Sequence, residues 1–260
     1  MARLVSAVTS VSLTRKVRTR LGTVAFGGAL GLIVVVSAGP GWAASVRSRA
    51  WAGYQANRQM FRRVSARWTV PALTCSGTTA SGDPDSYFFV GLGPSFSGSE
   101  RVGIRELCTG TLPAYVAYLG MNGLYEAQAV DPVPGDQISA SVSFVSGKYR
   151  FSLADATQNK SFSVKYSCGA FSAGQGTCRR STAEVVAGIA APGLSPLADY
   201  GSATFEKIAV TDARGQQGSF AKNRPWRIAR LGEYSGAALA AAPSSLSQRG
   251  TRFTDAWRHL

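Results

Sequence analysis

The segment ISASVSFV at 138–145 sets branched and aromatic residues against Ser and Ala at almost every second position. A side-chain period of two belongs to a strand with one face in a core and the other in water, whereas a helix repeats about every 3.6 residues. The same alternation returns in VSARWTV at 64–70, SYFFVGL at 86–92 and the stretches 99–105, 114–119, 124–130, 149–153, 161–166 and 203–210. Turn-forming clusters separate them, SGDPD at 81–85, DPVPGD at 131–136, SGK at 146–148 and DARGQQG at 212–218. Their Gly, Pro and Asp supply the backbone angles that a tight reversal needs. Short strands at this spacing predict an all-β fold, an antiparallel two-sheet β-sandwich of the concanavalin-like or jelly-roll type. No long amphipathic helix is written into the chain, and 236–242, ahead of Pro243, reads at most as a short turn. With no internal repeat and no break in composition, residues 51–260 read as one domain, preceded by a loose leader at 44–50.

The N-terminus has a different character. Arg3, Arg15, Lys16, Arg18 and Arg20 precede an uncharged apolar run at 21–38, and Gly41-Trp42-Ala43 follows. A basic region, an apolar core and a small-residue exit predict a secretory signal peptide at 1–43, cut after Ala43. The apolar run approaches the length of a membrane helix, but its glycines and small-residue exit favour removal. The expected product is secreted and extracellular, a monomer with no stable membrane span.

Cys75, Cys108, Cys168 and Cys178 make an even set in an exported chain, which implies disulfides. Four cysteines allow three pairings, of which Cys75–Cys108 with Cys168–Cys178 is favoured. The second bridge would close the loop GAFSAGQGT. No CxxC occurs, so neither a metal nor a redox cofactor is expected. The one histidine, His259, stands next to the C-terminus, a poor place for the imidazole base of a Ser-His or Cys-His hydrolase. The formal charge is +14, yet Arg62-Arg63, Arg179-Arg180, Arg224, Arg227 and Arg230 are scattered. No basic run with interleaved aromatics tracks a phosphate backbone, so no nucleic-acid partner is expected.

Available chemistry is thereby narrowed to carboxylates, amides, hydroxyls and arginines. One acid, Glu184, lies within the apolar run of TCRRSTAEVVAG at 177–188. Alternation puts Thr182, Glu184 and Val186 on one strand face. Turned inward, Glu184 would be a desolvated carboxyl able to hold a proton and donate it, as a general acid must. Turned outward, it would be an ordinary surface glutamate.

Seven segments occur in an order that resembles the eqolisins, the secreted glutamic endopeptidases. They are WAGY at 51–54, FRRVSARWTVP at 61–71, FFVGLG at 88–93, VPGDQISASV at 133–142, AEVV at 183–186, ADYGSATF at 198–205 and APSSLSQRGTRFTDAW at 242–257. The resemblance implies a sandwich of two antiparallel sheets and hydrolysis of polypeptides at acidic pH. It also implies a dyad in which a glutamate activates water and then protonates the leaving amine, while a glutamine orients the water and steadies the oxyanion. By position the glutamate is Glu184.

The glutamine does not carry over. Its place, two residues ahead of a Gly-Val-like pair, is held by Arg101 in Arg101-Val102-Gly103-Ile104. Alternation places Arg101, Gly103 and Arg105 on one face, and Glu100, Val102, Ile104 and Glu106 on the other. A guanidinium only donates, so it can polarise an oxyanion but cannot accept a bond from attacking water. Close to Glu184 it would favour the carboxylate and lower its pKa by ~1–3 units. In the family's aromatic strand Tyr115 and Ala117 match, Tyr118 replaces a Trp, and Gly120 stands where an acid is usual. Two readings follow. One is a glutamic endopeptidase with impaired or altered catalysis, Glu184 serving as acid and base, Arg101 as electrostatic stabiliser, and Trp51, Phe89, Tyr115 and Tyr118 lining a cleft. The other is a pseudoenzyme, a secreted sandwich that binds peptide or cell-wall polysaccharide through those aromatics.

Overall fold

The computed structural model describes residues 43–77, 79, 82–94, 100–121, 124–168, 179–189, 195–221, 224–247 and 249–258. The signal-peptide expectation, apart from Ala43, and the residues Cys178 and His259 lie outside them. Sixteen strands and no helix are found among the described residues. They are β1 (Ala43–Ser48), β2 (Trp51–Asn57), β3 (Phe61–Thr69), β4 (Asp85–Gly93), β5 (Glu100–Thr109), β6 (Leu112–Met121), β7 (Leu124–Ala127) and β8 (Gln137–Val145). They continue with β9 (Lys148–Asp155), β10 (Lys160–Ser167), β11 (Thr182–Gly188), β12 (Ser202–Asp212), β13 (Gln217–Gly218), β14 (Arg227–Ser235), β15 (Ala238–Pro243) and β16 (Phe253–Trp257).

Hydrogen bonding links them in the order β10-β9-β8-β3-β12-β16-β15-β14-β2-β11-β4-β5-β6-β7, with β1 beside β14 and β13 beside β12. All pairs are antiparallel except β1 with β14. The path doubles back on itself, so β3 and β8 of one half lie against β11, β4 and β5 of the other. This is the predicted antiparallel β-sandwich. Between the halves sit Val64, Ala66 and Trp68 of β3, Ile138, Ala140 and Val142 of β8, and Phe88, Val90 and Leu92 of β4. The alternation in ISASVSFV is thus a true inside-outside pattern. Each large buried side chain contributes roughly 1.5–3 kcal/mol.

Two expectations need correction. The supposed loose leader is largely β1, which runs parallel to β14 from Ala43 opposite Ile228 to Ser48 opposite Glu233. Its backbone pairing, rather than any side-chain pattern, orders it, and Ser48 Oγ then accepts the Trp51 N–H at 3.0 Å to turn the chain into β2. The stretch around 236–242 is a hairpin. β14 reverses at Gly236, whose φ of 59° suits the turn, and the small alanines of β15 then pair with β14 and β16. The Cys75–Cys108 disulfide is present with Cα atoms 5.6 Å apart, tying the chain beyond β3 to the end of β5. Cys168 is also disulfide-bonded. No described helix is long and apolar enough to cross a membrane.

The core holds carboxyls as well as hydrocarbon. Burial pushes Glu100 up to about 7 and Asp255 up to about 7, and desolvation holds Glu106 and Glu233 well above the usual carboxylate range. A carboxyl whose folded pKa is raised binds more protons folded than unfolded at pH values between the two. The native state therefore loses stability as pH rises from the ordinary carboxyl range of about 4 through about 7. Thermal unfolding should show a midpoint that falls by on the order of 5–10 °C between pH 4 and pH 7. Asp255→Asn should flatten the profile, because the amide stays neutral throughout.

Candidate active site

The strand sequence TAEVVAG of β11 sends Ala183, Val185 and Ala187 into the core between the halves. Glu184 must therefore point to the opposite, outer face of its half, with Thr182 and Val186. Direct cross-strand partners share a face. The register brings into one row Gln55 of β2, Glu184 of β11, Gly91 of β4, Arg101 of β5, Gly120 of β6 and Tyr125 of β7. The structure thus places Glu184 and Arg101 on a common face, with only the backbone of Gly91 between their strands.

This face is not open to water. Relative exposure is 0% for Glu184, 3% for Gln55 and 4% for Arg101. A second apolar cluster, separate from the main core, gathers Trp51, Tyr87, Phe89, Tyr118, Val186 and Leu231 on it. Trp51 donates its ring N–H to the Ile189 carbonyl at 3.2 Å and meets Phe89 edge-on at 5.5 Å. Arg101 lies among these rings, its guanidinium carbon 4.9 Å from the Phe89 centre, 5.1 Å from Trp51 and 5.5 Å from Tyr125. Those distances fall within the range of cation–π attraction.

Glycine makes the room. A Cβ on Gly120 would sit 3.1 Å from Arg101 Cγ and 3.2 Å from the Tyr125 ring. The long cation at 101 and the absent side chain at 120 are thus one steric solution. Likewise a Cβ on Gly103 would lie 1.9 Å from the Phe88 carbonyl oxygen, so β4 and β5 approach at a separation that no side chain there would permit.

The contacts of Glu184 define its chemistry. Gln55 Nε2 donates to Oε1 at 2.8 Å, and Thr182 Oγ1 lies 2.9 Å from the same oxygen. Thr182 Oγ1 is also 2.5 Å from the Gly93 carbonyl oxygen. A hydroxyl has one proton to give. At 2.5 Å the Gly93 carbonyl, which carries no proton of its own, takes that hydrogen, and the contact with Glu184 Oε1 is then completed by a proton on Glu184.

Sequence reasoning missed Gln55. The amide beside Glu184 is not on the segment before the Gly-Val-like pair but on the other side of Glu184, on the strand of WAGY. The available signal was Trp51, because Gln55 is four residues on and so shares its face. Of the expected cleft aromatics, Trp51, Phe89 and Tyr118 do lie on the Glu184 face. Tyr115 does not, and that expectation is corrected. It is an odd number of residues from Tyr118, pairs with Glu106, packs against the main core and accepts the Leu73 N–H at 3.0 Å. Burial pushes Tyr87 up to about 12 and holds Tyr118 well above the ordinary phenol range, so both act as neutral walls. Among the described residues no cluster of His, Cys, Asp and Glu is arranged to hold a metal ion.

Comparison with known proteins adds a family. The model of the peptidase A4 family matches residues 49–242. Among solved structures, scytalido-glutamic peptidase bound to a transition-state analogue inhibitor superposes with a TM-score of 0.65 at 18% identity, covering 81% of this chain and 99% of that one. SCP-B, described as an eqolisin in complex with the tripeptide Ala-Ile-His, gives 0.61 at 19% identity, covering 81% and 99%. Aspergilloglutamic peptidase from Aspergillus niger gives 0.56 at 15%, covering 67% and 99%. At such identities these likenesses concern the fold. No curated protein matches the sequence.

The hydroxyl of Thr182 is expected to carry part of the stability of this row. Thr182→Val keeps the shape and removes the group between Gly93 and Glu184, and should cost about 1–3 kcal/mol in urea unfolding.

Proposed function

Because the chain belongs to the peptidase A4 family, we propose that it hydrolyses peptide bonds at acidic pH, with Glu184 as acid and base and Gln55 as the amide partner. The observation that carries this reading is the 2.8 Å hydrogen bond from Gln55 Nε2 to Glu184 Oε1 within a buried row. Arg101 occupies the position at which the family resemblance calls for glutamine, but the chemistry asks only that an amide lie beside the acid. Gln55 meets that need from the neighbouring strand on the other side.

In this mechanism Glu184 takes a proton from water as the water oxygen bonds to the substrate carbonyl carbon. The carbonyl π electrons move to oxygen, giving a tetrahedral oxyanion. One amide hydrogen of Gln55 stays on Glu184, leaving its second hydrogen and its carbonyl oxygen to orient the water and oxyanion. Arg101 contributes positive charge to the same face. The protonated Glu184 then gives its proton to the amine nitrogen as the C–N bond breaks, and the carboxylate is regenerated. Acidic pH suits both this cycle and the carboxyl-rich core. Paired cysteines and the basic, apolar, small-residue N-terminus support a secreted, extracellular protein that meets polypeptide substrates there.

One observation favours a second reading. Glu184 is fully buried and Arg101 is packed among aromatic rings, as suits a non-catalytic relative whose outer face holds a peptide or polysaccharide without cutting it. Denatured casein incubated with the purified protein from pH 2 to 7 separates the two. Cleavage at acidic pH is expected, with near-complete loss in Glu184→Gln and a fall in kcat of about 10²–10³ in Gln55→Leu. Activity that survives Glu184→Gln sinks the proposed acid. A silent parent that gains activity in Arg101→Gln sinks the role of Gln55, and silence in every variant leaves the binding reading.

A further inference from the structure

The other half of the sandwich also has an outer face, and its chemistry differs. The register of β3, β8, β9 and β10 sets out three parallel rows. One is Arg63, Ser143, Arg150 and Lys165; the next is Ser65, Ser141, Ser152 and Ser163; the third is Arg67, Ser139, Ala154 and Ser161. The middle row is serine on all four strands, with Ser152 and Ser163 in mutual hydrogen bond at 2.9 Å. At a strand spacing of about 4.8 Å it forms a hydroxyl floor roughly 14 Å long, perpendicular to the strands. Arg63 and Arg67 rise on either side of Ser65, and Lys207 of β12 joins them. A groove of about 510 Å³ lies over these residues, and a second of about 500 Å³ adjoins it at Arg63 and Ser65 and extends over β12 and β13.

The charge pattern is one-sided. The outward positions of this face carry Arg63, Arg67, Lys148, Arg150, Lys165 and Lys207 against the single acid Glu206. Arg150 and Lys165 are direct cross-strand partners, an arrangement of like charges that destabilises a sheet. The ion pairs among the described residues are Arg105–Asp85 and Lys160–Asp131, and neither includes a cation of this face. A merely solvated face mixes both signs.

We infer that this face binds an extended anionic polysaccharide, carboxylated or sulfated, laid across the strands along the serine row. The cations on either side answer its charges, and the serine hydroxyls, which both donate and accept, answer its ring hydroxyls. The side chains of this face exclude other extended polyanions and surfaces. Among the described residues its outward strand positions carry no aromatic ring, on which the bases of a single-stranded nucleic acid would stack, since Phe162 at the groove packs against the core, and they form no apolar band for a membrane. The inference is independent of the proposed peptidase site, which lies on the outer face of the opposite half.

Heparin, as a sulfated chain, and polygalacturonate, as a carboxylated one, would be titrated into the purified protein beside neutral dextran, polyphosphate and poly-deoxythymidine. Binding of both anionic glycans and not of dextran is expected, weakening linearly in log Kd against log salt. The triple variant Arg63→Ser, Arg150→Ser, Lys165→Ser should bind on the order of tenfold more weakly, with a shallower salt slope. A charge-matched triple at exposed strand ends of the other half, Arg49→Ser, Arg58→Ser, Arg227→Ser, should leave affinity within about twofold of the parent. Equal weakening by both triples would show net charge alone at work and overturn the assignment. Absence of glycan binding, or tighter binding of polyphosphate or the oligonucleotide, would overturn it as well.

Discussion

The architecture of the candidate site depends on the backbone pairing of β11 between β2 and β4. That pairing removes Glu184 from water and decides which groups lie nearest to it, because the direct cross-strand partners of a residue share its face. One neighbour supplies Gln55 and the other supplies Gly91. A desolvated carboxyl without donors would be costly, and here Gln55 and Thr182 stand within hydrogen-bond distance of a single oxygen. The contacts that offset the burial also hold the carboxyl in a fixed orientation.

On the far side of Gly91 the row is arranged around size. Arg101 is long, and the positions flanking it in the row, Gly91 and Gly120, have no side chain. The guanidinium is consequently free to lie among Phe89, Trp51 and Tyr125. These rings offer electron-rich faces to a cation that burial has stripped of water. An acid at 120 would have competed with the rings for the guanidinium and met the ring of Tyr125. Arg101 and Gly120, which the family resemblance presents as two separate differences, form a single packed unit.

The sequence made the class of fold legible because alternation is local. ISASVSFV declares its inward and outward sides without reference to any other segment, and so does the strand of Glu184. The face of Arg101 was legible for the same reason. Gln55 was not, since its place beside Glu184 arises from β2 pairing with β11, more than a hundred residues later in the chain, and no local pattern records strand order. β2 also hid its period, being buried on both faces, and β15 hid behind an alanine run that favours helix in isolation but is overridden by pairing with β14 and β16. Tyr115 is a different case. Its parity relative to Tyr118 was available from the sequence, but matching positions to the family pattern put both residues in one cleft, although a strand turns them to opposite faces.

The contrast between the two outer faces follows from what lies next to each. Around Glu184 the strands carry Trp, Phe and Tyr outward as well as inward, so β4 and β11 are buried from both sides and any polar group among them must be matched by a partner inside the protein. On β3, β8 and β9 the outward positions are mainly Ser, Arg and Lys, which water satisfies, and the polar groups there need no internal partner. A low-dielectric face amplifies each electrostatic difference among a few groups, the condition for moving a proton at a chosen atom. A wet face screens its charges and can only sum many weak attractions along a length. Within one sandwich the first suits chemistry at a point and the second suits holding an extended chain.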